Sequence, residues 1–99
     1  AGPDTVNKEE TMQTLEESRR EIDRIDREMA RLFEERMRTV AQVIEYKKVV
    51  GMPILDSSRE AAVIEKNSAY IQDPALLDYY LRFIQAQMDL SKEYQRTLL

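Results

Sequence analysis

From about residue 12 to residue 50 the chain contains neither glycine nor proline, and helix formers dominate throughout. Apolar residues recur there at Leu15, Ile22, Ile25, Met29, Leu32, Phe33, Val40, Val43, Ile44 and Val50, the mixed three- and four-residue spacing of one helix face. A helix of about 38 residues rising ~1.5 Å each is a rod of roughly 57 Å. A compact chain of 99 residues has a radius of gyration of only about 13 Å. The rod would outrun any monomeric core, and the remaining sequence is too short to cover its apolar face. A second copy paired along the long helix would cover it.

The rest of the chain reads as two shorter helices. Gly51 and Pro53 end the first element, and Asp56 or Ser57 caps a second that runs to about Tyr70, with Ala62, Val63 and Ile64 as apolar contacts. In "QDPALL", Asp73 caps a third helix and Pro74 takes its first position. Its stripe is Leu77, Leu81, Ile84 and Met88, with Leu98 later. Residues 1–11 are polar and patternless, so a flexible N-terminus is expected before a helical domain over 12–99. No strand pattern or repeat appears. The expected class is all-α, three helices per chain with one very long, forming a helical homodimer.

Composition restricts the chemistry. With no Cys and no His, thiolate nucleophiles, cysteine-ligated metals and the usual general base are excluded. A net charge of −4, without a basic block, argues against nucleic acid as a partner. No apolar run approaches membrane-spanning length and nothing resembles a secretory signal, so a cytoplasmic protein is expected. Neither of the two glycines lies in a phosphate-cradling loop. Any catalysis must rest on Arg, Lys, carboxylates, amides and hydroxyls.

Polar residues interrupt the apolar pattern at specific places. In heptad series, Leu15, Ile22, Met29, Val43 and Val50 share a seam whose missing member is Arg36. The adjoining series runs Phe33, Val40 and then Lys47, and extends backwards through Asp26 to Arg19. The third helix continues its stripe as Ser91 and Gln95. At the start of the second, "DSSRE" crowds Asp56, Arg59 and Glu60 into one turn. Each has a plain alternative: seam charges set register or snorkel to solvent, "DSSRE" is an N-cap with acidic first-turn residues, and Ser91 and Gln95 form an exposed flank. Together they suggest a polar pocket within a helical bundle.

Spacing says what these cations could hold. Arg36 and Lys47 lie almost three turns apart on one face, roughly 16 Å along the axis, so long side chains could grip a small anion between them. Arg19 is ~25 Å further back, too far to join them from the same chain. In an antiparallel dimer crossing near residue 30, Arg19 falls opposite residue 41 of the other chain, between Arg36 and Lys47. Periodicity alone leads to a helical dimer with an anion-seeking pocket.

The run "SRREIDRIDREMARLFEERMRTVAQVIEYKK" followed by "ILDSSREAAVIEK" resembles the all-helical AroQ class of chorismate mutases. That family carries an arginine in an "R..ID.ID..l..Ll..R" pattern, a second arginine, a lysine, a "D..RE" motif, and a Ser with Gln or Glu one turn later. Arg19, Arg36, Lys47, Asp56, Arg59, Glu60, Ser91 and Gln95 match these positions in order. The resemblance implies an intertwined homodimer, with Arg19 donated to the partner chain's site. It implies a cofactor-free [3,3] rearrangement of chorismate to prephenate in phenylalanine and tyrosine biosynthesis. Arg19 and Arg36 would clamp the substrate's carboxylates with help from Lys47, while Lys47 and Gln95 would donate to the ether oxygen. Asp56 and Glu60 would accept from the ring hydroxyl, with Arg59 orienting Glu60. The resemblance also leaves room for fusion to another aromatic-pathway enzyme. The alternatives are an isochorismate-pyruvate lyase of similar fold, disfavoured by the complete "D..RE" and the Ser/Gln pair, and a non-catalytic regulatory or docking dimer.

Overall fold

The structure, a computed structural model, describes residues 8–99, apart from the side chain of Gln13. Of the stretch expected to be flexible, residues 1–7 lie outside the described residues. Helix α1 spans Lys8–Val50, so it starts at Lys8 rather than near Met12. Glu9 and Glu10 occupy its first turn, where negative charge meets the positive end of the helix dipole. Helices α2, Ser57–Ser68, and α3, Leu77–Thr97, complete the all-α fold, and the described residues contain no strand.

The breaks form where local chemistry requires them. Gly51 has a φ of 77°, the left-handed conformation that glycine adopts without a Cβ clash. The amide of Met52 then donates to the Lys47 carbonyl at 2.9 Å, closing α1 in the manner of a Schellman motif. Asp56 caps α2 by accepting from the Arg59 amide at 3.0 Å. α2 stops at Ser68, short of Tyr70, because the Tyr70 amide turns back onto the Asn67 carbonyl at 3.0 Å. Before α3, Asp73 accepts from the Ala75 amide at 3.0 Å and Pro74 opens a 3-10 turn, Pro74–Leu76. Pro74 thus begins this turn rather than α3 itself.

The described residues divide within α1 into two units, one ending at Glu35 and the other running from Arg36 to Leu99. In the first, the apolar face of α1 is open: Leu15, Ile22, Ile25, Met29, Leu32 and Phe33 are each between 41% and 54% exposed. In the second, Ile44 of α1 and Ile84 and Met88 of α3 are buried, Ile44 to 1%. Burying a side chain like Ile44 is worth about 2–3 kcal/mol. The packing seam of this unit therefore runs through Ile44 and not Val43, which stays exposed with Val50. α2 buries no residue fully; Val63 and Ile64 are half-buried and Ala62 is exposed.

Two polar ties set α3 against the C-terminal part of α1. Gln95 Nε2 donates to the Val40 carbonyl at 3.2 Å, and Lys48 Nζ donates to the Leu98 carbonyl at 3.0 Å. The second places a cation on carbonyls at the end of α3 that no further turn can satisfy. Both ties fix the height of α3 beside α1, and with it the height of Ser91 and Gln95.

Candidate active site

A cavity of about 290 Å³ lies within the second unit, close to the lower size of small-molecule pockets. From α1 it receives Arg36 and Lys47, from the start of α2 Asp56, Arg59 and Glu60, and from α3 Ser91 and Gln95. Val40, Val43, Ile54, Val63 and Met88 supply apolar wall. Every predicted residue except Arg19 therefore lines this cavity. Arg19 belongs to the first unit, on an exposed position of α1.

The polar atoms are already ordered. Arg36 Nη1 donates to Ser91 Oγ at 2.6 Å, and the Ser91 hydroxyl donates to the Gln87 carbonyl at 2.8 Å. Lys47 Nζ donates to the Ile54 carbonyl at 2.9 Å. These partners are neutral, so neither cation is cancelled by them. Ser91 and Gln95 are buried rather than an exposed flank. A buried amide needs a partner; the Val40 carbonyl takes one Nε2 hydrogen of Gln95 and thereby sets which end of the amide is nitrogen. A second hydrogen remains for a ligand.

Charge in the cavity favours an anion. Burial lowers the pKa of Arg36, and the Arg59 guanidinium lowers it further. An arginine so placed keeps its proton, and an anion between the two guanidiniums would relieve both penalties. Among the carboxylates, Asp56 is engaged in capping. Its pKa is lowered by the Arg59 amide first and the Ser58 hydroxyl second, with burial opposing and Lys47 assisting. Glu60 is held by Lys92, whose Nζ lies 3.0 Å from Glu60 Oε2. The cation seen on Glu60 is thus Lys92 of α3, not Arg59. Sequence reasoning passed over Lys92; its only signal was its place beside Ser91, since the pairing depends on how α3 meets α2.

The lowered pKa of Asp56 makes stability depend on pH. Because the folded value lies below the ordinary aspartate value, the stabilisation is complete above that ordinary value and is lost as pH falls through the folded pKa. An asparagine at this position would cap without a charge. Thermal melts from about pH 7 to about pH 3 should show wild type losing its advantage over Asp56→Asn at the acid end. A constant difference across that range would contradict the role given to the charge.

The profile of the chorismate mutase type II family matches residues 18–96. The chain belongs to the chorismate mutase type II family. It is 33% identical over 90 residues to a bifunctional chorismate mutase/prephenate dehydratase of Aquifex aeolicus, covering 83% of this chain and 25% of that protein. It is 41% identical over 54 residues to the T-protein of Haemophilus influenzae, covering 54% of this chain and 14% of that protein. The chain thus spans a quarter or less of the length of these curated relatives. No solved structure gives a significant match. The all-α architecture, with one very long helix, agrees with the fold expected for that family. No helix among the described residues is long and apolar enough to cross a membrane.

Proposed function

We propose that this chain catalyses the [3,3] rearrangement of chorismate to prephenate, acting in the cytoplasm in aromatic amino-acid synthesis. The observation that carries the reading is the convergence of Arg36, Lys47, Arg59 and Gln95 on one small cavity. An intramolecular rearrangement needs neither nucleophile nor proton transfer, so a chain without His or Cys suits it. What it needs is a flexible dicarboxylate held in a compact, chair-like shape, which is positioning work.

Arg36, with Arg19 from a second chain, clamps the carboxylates, and Lys47 reaches one of them. As the C–O bond breaks, negative charge grows on the ether oxygen. Lys47 and Gln95 donate there, and these bonds strengthen toward the transition state. The start of α2 offers Asp56 and Glu60 as acceptors for the ring hydroxyl, while Arg59 keeps the site attractive to anions. The crowding in "DSSRE" is then two uses of one helix start, capping and binding. Fusion to or association with another aromatic-pathway enzyme belongs to the same reading, since a related protein is named as bifunctional.

A homodimer is part of this proposal. The open apolar face on the N-terminal part of α1 is of the kind that marks an interaction surface. An antiparallel partner would cover it and bring Arg19 to the site. Co-expressing Arg19→Ala chains with Lys47→Ala chains tests this. If Arg19 crosses to the partner, a mixed dimer regains one intact site, and activity should return to about a quarter of wild type under random pairing. Co-expressed chains as inactive as either variant alone would reject the crossing.

The function itself is tested by incubating the purified chain with chorismate and identifying the product. Prephenate is expected. No turnover by a folded protein, or pyruvate released from isochorismate instead, would overturn the assignment.

A further inference from the structure

Glu60 stands at the cavity wall in the company of three cations, Arg36, Lys47 and Arg59. A glutamate has three rotatable bonds, and in that setting an unrestrained carboxylate would turn toward the nearest guanidinium. It would then cancel the charge meant for an anionic substrate. Something has to hold it back. Lys92, one residue after Ser91 on α3, does not line the cavity. Its ammonium nevertheless lies 3.0 Å from Glu60 Oε2, with the two side chains only 19% and 22% exposed. Asp89, one turn earlier on α3, contacts the same ammonium at 3.4 Å.

We infer that Lys92 is a positioning residue: it anchors Glu60 by Oε2 against α3, leaving Oε1 to accept the substrate's ring hydroxyl and the cavity cations to the carboxylates. This rests on the function proposed above. The hydrogen bond from Lys92 to Glu60 is the first cause of a raised pKa at Lys92, followed, after the opposing effect of burial, by the Glu60 charge and then by Asp89. The ammonium therefore stays protonated wherever the enzyme works. A lysine in this place differs from a surface ion pair along one helix, such as Glu21 with Arg24, because it joins α2 to α3 behind the site. Its three donors suit two carboxylates at once.

The test is a double-mutant cycle read in both kinetics and stability. The kcat, KM and melting temperature are measured for wild type, Lys92→Met, Glu60→Gln, the double variant and Lys92→Arg, with chorismate as substrate. Lys92→Met should lower kcat/KM about tenfold, the size expected for two coupled groups in contact. The loss should fall mainly in KM, because the hydroxyl is bound alike in ground and transition states. In the Glu60→Gln background the same substitution should cost nothing further, and Lys92→Arg should recover most of the loss.

Equal fold-losses in both backgrounds would show that Lys92 does not act through Glu60 and would overturn the inference. So would an unchanged kcat/KM in Lys92→Met. Coupling that appears in melting temperature but not in kcat/KM would reduce the pair to a structural tie, which also overturns it. If Lys92→Met does not fold, Lys92→Gln takes its place in the cycle. A wild type that converts no chorismate fails the proposed function itself, an outcome separate from any comparison among the variants.

Discussion

Replacing Lys47 with alanine should slow chorismate turnover by about 1000-fold or more while leaving the helices in place. Lys47 is half-buried near the end of α1, and its Nζ is already directed by the Ile54 carbonyl at 2.9 Å. One of its three hydrogens is used there, so others remain for the substrate. It serves twice in the proposed chemistry, as counter-charge to a carboxylate and as donor to the ether oxygen. Loss of one such donor alone costs about 100- to 1000-fold. Lost charge adds to this, because an ammonium bonded to a carboxylate is among the stronger contacts available. The measurement is kcat/KM for wild type and variant, with circular dichroism on both. A loss below about tenfold in a folded variant would remove Lys47 from the mechanism.

Exchanging Gln95 for glutamate should make the rate depend steeply on pH. An amide donates at any pH, whereas a carboxyl donates only while protonated. The active form of Gln95→Glu is therefore the protonated one, present below the new group's pKa and lost as pH rises through it. Burial in place of Gln95, next to the Val40 carbonyl, should push that pKa above the ordinary glutamate range. Near pH 5 the variant should keep much of its activity. Near pH 8 it should fall about 100-fold or more, because a carboxylate then faces the charge developing on the ether oxygen. Wild type should vary far less over the same range. Indistinguishable rate–pH profiles would place Gln95 away from the reacting atoms.

The breaks between the helices were legible because each depends on a local rule. Gly51 stops α1 through its own φ, and Asp56 and Asp73 cap through amides two or three residues away. The polar lining of the cavity was legible for a related reason. Arg36, Lys47, Ser91 and Gln95 interrupt apolar series whose period is that of a helix, so their face was visible without knowing what lay opposite. The same periodicity put Val43, Ile44 and Val50 together on one apolar face, and within the chain it is Ile44 that is buried. Neighbouring residues on a helix face differ by about 100°, and only the position of α3 chooses between them.

Helix content, the breaks between helices and the helix faces that carry the polar cavity residues were thus determined by the sequence, since each follows from neighbours within a turn or two. The tertiary structure decided who holds whom. It gave Arg36 to Ser91 and Gln95 to the Val40 carbonyl, and it bound Glu60 to Lys92 where Arg59 had been expected. These pairings bridge separate helices. Their partners are set by crossing angle and height along the axis, which depend on packing summed over the whole unit and on no single stretch of residues.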